Sequence, residues 1–176
     1  MKEVDTMSLR EAFAFPEIVN DYAARCTAAL VVALAVLTIV VPSPMQTWLA
    51  GALALGFVLR VAGGPRYSPF GRLSVHLLAP RVSSEPKMVA GAPKRFAQTI
   101  GLVMSSLAFG LFLAGFATAG VGVLWVLVVA ALAEAALGFC IGCWIYGQLQ
   151  RAGIVSEDSC VDCADIWARP GMAARN

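Results

Sequence analysis

The sequence predicts an all-α protein: a four-helix transmembrane bundle of two antiparallel hairpins, with a cytoplasmic loop containing a short interfacial helix and a cysteine-containing C-terminal tail. Three observations carry this prediction. Of the 176 residues, 59% are hydrophobic and 14% are charged, and the mean hydropathy of +0.77 exceeds that of ordinary soluble domains. Four apolar runs, at about 22–41, 44–61, 96–118 and 121–148, each approach or exceed the ~20 residues a helix needs to cross ~30 Å of hydrocarbon. Finally, the thirteen Lys and Arg all avoid the two short links within each pair of runs.

Taken in chain order, the segment 1–21 mixes charges of both signs and has no apolar core followed by a small-residue cleavage site, so no secretory signal is expected. Ser8-x-x-Glu11 is a capping box that opens a short run with Leu9 and Phe13, the mark of a small surface helix before Pro16. The membrane domain then spans 22–149. Its apolar runs lack strand-like alternation, and in lipid such runs pair their backbone groups internally only as helices. The links Val41-Pro42-Ser43-Pro44 and Thr118-Ala119-Gly120 are tight enough to make each pair of helices an antiparallel hairpin.

The remaining polar sequence, 1–21, the loop 62–95 and the tail 150–176, lies on one side together with every basic residue. The positive-inside bias makes that side cytoplasmic and puts both termini in the cytoplasm. Trp48 and Trp125 then fall near the opposite interface, and Trp144 and Tyr146 near the cytoplasmic one. In the loop, Ser68 followed by Pro69 is a helix start, and Phe70, Leu73 and Leu77 recur on one face until Pro80. Arg66, Arg72, Arg81, Lys94 and Arg95 make this loop basic. The basic residues suit an anionic lipid headgroup; they equally suit topology determination with general lipid attraction.

Small residues at four-residue spacing mark packing faces: Gly101/Ser105 and Ser106/Gly110 on the third run, Ala131/Ala135 and Gly138/Gly142 on the fourth. The same faces would serve contact with other subunits. Glu134 stands near the middle of the fourth run, with no Lys, Arg or His expected at its depth. It is expected to be protonated or bonded to Ser105 or Ser106, because an unpaired charge there is the costliest state.

Four of the five cysteines form the string C-x2-C-x16-C-x2-C: Cys140, Cys143, Cys160 and Cys163. Such spacing suits a zinc site or an iron-sulfur centre. It also suits redox dithiols facing a thioredoxin-like protein or a membrane quinone, or small apolar fillers. On one continuous fourth helix, Cys140 and Cys143 sit near a C-terminus, and the tail pair is ringed by acids. Both settings raise thiol pKa values and favour a metal over a fast nucleophile. Cys26 lies at the same end of the first run and is expected to be a small buried residue. The net charge of +2 gives no reason to expect nucleic acid, and neither a glycine-rich phosphate loop nor a nucleophile-base pair is present.

Three motifs in order, Gly64-Pro65-Arg66-Tyr67-Ser68-Pro69-Phe70-Gly71, then Arg95-Phe96-Ala97-Gln98 with Gly101, then Gly138-Phe139-Cys140-Ile141-Gly142-Cys143 with Tyr146, resemble the bacterial integral membrane family known as domain of unknown function 4395. The resemblance covers about residues 20–150. It implies a small polytopic inner-membrane protein in which Cys140 and Cys143 match the family's hallmark pair, and it brings no reaction with it. The expected function is a cysteine-centred site at the cytoplasmic face, working beside other proteins. The alternative is a structural accessory subunit of a larger membrane complex.

Overall fold

The computed structural model describes residues 16, 18–64, 67–82 and 87–155; the Ser8 capping box lies outside them. In chain order the elements are β1 (Ile18–Asn20), α1 (Asp21–Val40), α2 (Met45–Gly63), the composite helix α3 (69–82), β2 (Met88–Ala90), α4 (Gly91–Leu113), α5 (Ala117–Leu137) and α6 (Ile141–Arg151). Four of them, α1, α2, α4 and α5, are long and apolar enough to cross a membrane. The protein is thus a helical, multi-pass membrane protein.

These four helices meet along one apolar seam formed by Val31 and Ala35 of α1, Leu53 and Phe57 of α2, Ala108 and Phe112 of α4, and Leu124 and Leu127 of α5. In lipid, burying such groups gains little from water exclusion, so close packing has to hold the seam. Gly101 lies directly beneath the Phe57 ring, with no room for a side chain. Outside the seam Trp48, Leu55, Val103, Trp125 and Val129 are exposed, as lipid-facing side chains are. The α1–α2 link is fastened by Gln46, whose Nε2 donates to the Thr38 carbonyl at 3.2 Å.

A short antiparallel ribbon, which hydropathy does not reveal, organises the other end. Ile18 pairs with Ala90, Val19 with Val89 and Asn20 with Met88, and Asp21 N–H donates to the Lys87 carbonyl at 2.7 Å. Each strand runs straight into a membrane helix, so the first turns of α1 and α4 are held side by side. Asn20 also caps α1, accepting from Tyr22 N–H at 3.0 Å.

The helix start at Ser68 forms as its residues predict, with Oγ accepting from Gly71 N–H at 3.3 Å and Pro69 in the first turn. The helix then passes Pro80 to Val82, through a widened turn at Ser74–Leu78. Its small residues Gly71, Ser74 and Ala79 are buried, and the helix packs on α1. Leu73 and Leu77 are exposed.

Four span boundaries differ from the sequence expectation. Helix α4 ends at Leu113 and α5 begins at Ala117, so the turn is 114–116 and the expected link Thr118-Ala119-Gly120 lies inside α5. Helix α4 begins at Gly91 rather than at 96, so it includes Lys94 and Arg95; a compensated lysine does not end a helix. The expected fourth span 121–148 is two helices, because α5 stops at Leu137 and α6 starts at Ile141. Gly138 and Gly142 consequently share no helix face. Tyr146 is turned into the protein: it is 8% exposed and packs against Phe96, with ring centroids 5.5 Å apart.

Candidate functional site

The break between α5 and α6 builds the site. The last turn of α5 widens into a π turn over Ala133–Leu137 and closes on Gly138 at φ 68°, a left-handed conformation that glycine adopts without the steric cost other residues meet. Gly138 N–H donates to the Glu134 carbonyl at 3.0 Å. The next two carbonyls are capped from another helix: Arg25 of α1 donates through Nε to Ala135 at 3.4 Å and through Nη2 to Ala136 at 3.0 Å. After Phe139 the chain re-enters a helix with Cys140 as its N-cap. Helix α6 lies tightly along α4, since a Cβ on Gly142 would stand 2.6 Å from Ala97 Cα.

This reverses the expected setting of the first cysteine pair. Cys140 precedes a helix instead of ending one, and its Sγ accepts from Cys143 N–H at 3.3 Å. The two sulfurs are 2.7 Å apart, with Cys143 as donor; both are free thiols. The thiol hydrogen bond from Cys143 is the main influence holding Cys140 below the ordinary thiol range, aided by Lys94 and the Cys143 N–H and opposed by burial and Glu134. Cys143, as donor to its neighbour and also buried, is pushed up. The two thiols are thus pushed in opposite directions, Cys140 down and Cys143 up.

Beside it lies a buried charge cluster. Lys94 Nζ is 2.7 Å from Glu134 Oε1 and 3.0 Å from Asp21 Oδ1. Lys94 is 6% exposed, so it is turned into the protein and its expected role at a lipid headgroup does not fit. Glu134 does not bond to Ser105 or Ser106 either. Ser105 donates to the Leu102 carbonyl at 3.1 Å and Ser106 is exposed. With α5 ending at 137, Glu134 stands at the end of its span, where the ribbon delivers Lys94 to it.

Two cavities flank Cys140. An outer one of about 370 Å³ is lined by Cys143, Trp144, Lys87 and Arg151. An inner one of about 130 Å³ runs into the bundle, lined by Phe57, Arg60, Gln98 and Glu134. Cys140 and Lys94 line both. Arg60 is 4% exposed; its Nε donates to the Gly56 carbonyl at 3.3 Å and its guanidinium sits over the Phe57 ring, 4.5 Å from the centroid.

Of the other residues singled out from the sequence, Arg72, Arg81 and Arg95 are exposed. Arg66, Cys160 and Cys163 lie outside the described residues. Among the described residues no group of three or more His, Cys, Asp or Glu could hold a metal ion. Cys26 is half-buried and lines neither cavity. Sequence reasoning missed Asp21, Arg25, Arg60 and Gln98. Two signals for the break were present: a 28-residue run exceeds what one span needs, and Gly138 within it is a residue type that ends helices.

No curated protein matches the chain, and no solved structure does. The family model described as Domain of unknown function (DUF4395) matches residues 19–151, a segment that contains the ribbon except Ile18, all four long helices, the break and Cys140 with Cys143. By this match over well more than half its length, the chain belongs to the family of domain of unknown function 4395.

Proposed function

We propose that Cys140 and Cys143 form a dithiol-disulfide centre that exchanges electrons with a thioredoxin-like partner at the membrane surface. One observation carries the proposal: Cys140 caps α6 and receives hydrogen bonds from both the thiol and the N–H of Cys143. A thiolate held at a helix N-terminus beside a lysine is the usual nucleophile of thiol exchange. One argument for a metal over a fast nucleophile was that Cys140 and Cys143 stand near a helix C-terminus, whereas Cys140 caps the start of α6.

In the exchange, the Cys140 thiolate attacks a partner disulfide. A Cys140–partner S–S bond forms and the partner's second sulfur leaves as a thiolate. Cys143 gives its proton to that leaving sulfur and attacks Cys140, closing the 140–143 disulfide and releasing a partner dithiol. Two electrons pass to the partner, and the reverse sequence returns them. The partner approaches through the outer cavity, where Cys143 lies.

The site faces the cytoplasm of a bacterial inner membrane in this proposal. Arg25, Arg60, Lys94 and Arg151 cluster at the ribbon end, whereas the links 41–44 and 114–116 carry no basic residue. The test uses full-length protein purified anaerobically and titrated with oxidised and reduced thioredoxin. A reversible cycle confined to Cys140 and Cys143, with Cys143→Ala trapping a mixed disulfide through Cys140, is the expected result. Stoichiometric zinc or iron holding these thiols, or thiols that never cycle in a protein fixed to other membrane subunits, would overturn it.

A further inference from the structure

Four buried side-chain polar atoms have no hydrogen-bond partner among the described residues, and two of them, Arg60 Nη2 and Gln98 Oε1, belong to residues that line the inner cavity. One is a donor and the other an acceptor, and leaving either unmet inside a low-dielectric bundle costs free energy. The opposite walls are apolar, with Val31, Met104 and Leu127 among them. At about 130 Å³, the space is close to the ~150 Å³ cavity that accepts one benzene ring.

Charge limits what can enter. With Cys140 as the thiol, the two acids Asp21 and Glu134 and the two bases Lys94 and Arg60 around the cavity are equal in number. A charged ligand would upset this balance where water cannot screen it. A neutral ring with an oxygen that accepts from Arg60, and an oxygen that donates to Gln98 once reduced, meets both unpaired atoms without adding charge.

We propose that the inner cavity is a binding site for the head of a quinone, held between Arg60 and Gln98 with Cys140 in its wall. The site as such does not depend on the thiol-exchange reading above, but its use does. With a quinone bound, the Cys140 and Cys143 thiols together lose two electrons and two protons, an S–S bond forms, and the quinone takes both to become a quinol. Cys140 borders both cavities, so it joins a water-side dithiol partner to a lipid-side carrier.

The test separates binding from chemistry. Full-length Cys140→Ser/Cys143→Ser protein in detergent is titrated calorimetrically under argon with 1,4-hydroquinone, a neutral ring close to benzene in size that, kept reduced, does not add thiols. Saturable one-to-one binding is expected, weakened at least tenfold by Arg60→Lys and by Gln98→Leu. Ala131→Leu, which fills the cavity from its apolar wall, should abolish it in a protein whose thermal unfolding still matches the parent's. The absence of saturable binding, or binding indifferent to Gln98→Leu and Ala131→Leu, would leave only a hydrated hollow and overturn the assignment. Failure of the thioredoxin titration with this binding intact would sink the exchange reading and leave the quinone site standing.

Discussion

Replacing Lys94 by Met should be the most damaging single change near the site. The substitution keeps the length of the side chain and removes the one cation that Asp21 and Glu134 share. Breaking a buried ion pair from one side costs about 3–5 kcal/mol. The Lys94 side chain is 7% exposed, but Asp21 and Glu134 are 13% and 19% exposed, so water recovers part of the loss and the lower end, about 3 kcal/mol, applies. For a chain of this size that corresponds to a melting temperature lower by ~6–12 °C. Thermal unfolding in one detergent at neutral pH measures it. The triple variant Lys94→Met/Asp21→Asn/Glu134→Gln, which removes every charge of the cluster, should recover most of the loss. A Lys94→Met protein within about 0.5 kcal/mol of the parent, or a triple variant no better than the single one, would refute the view that these charges depend on one another.

Three further outcomes follow from the same geometry. Cys140 should be alkylated by iodoacetamide with a pH midpoint below the ~8.5 of an ordinary thiol, since its folded pKa is depressed and its reactive thiolate persists to lower pH; Cys143→Ala, lacking the thiol donor, should move the midpoint upward. Arg25→Met should strip the donors from the Ala135 and Ala136 carbonyls, costing about 1 kcal/mol at this partly exposed position, with faster amide exchange at 138–141 as the readout. Gly142→Val would force α6 off α4 at Ala97, an overpacking cost of about 1–3 kcal/mol, seen as new proteolytic cleavage between α5 and α6 while the four-helix seam stays protected.

Much of the architecture was legible in the chain because hydropathy is additive over a local window. The four apolar runs mark α1, α2, α4 and α5, and the Ser68-Pro69 cap marks α3, since a cap involves only its own neighbours. The family motifs likewise singled out Cys140 and Cys143 from residue order alone. Glu134 was legible as unusual, but not its partner. Lys94 is distant in sequence, and it was counted with the basic loop because local hydropathy cannot tell a solvated lysine from a compensated one.

The sequence by itself determined that this is a membrane protein with four helices able to span and a cysteine pair at one end. The tertiary structure decided the surroundings of that pair. Only the pairing of β1 with β2 places Asp21 against Lys94 and hence Lys94 against Glu134, and only Arg25 reaching across from α1 caps the carbonyls where α5 ends. Those contacts join residues far apart in the chain, and they turn a cysteine expected near a helix C-terminus into the cap of a new helix. The sign of the helix dipole at the sulfur is reversed with it.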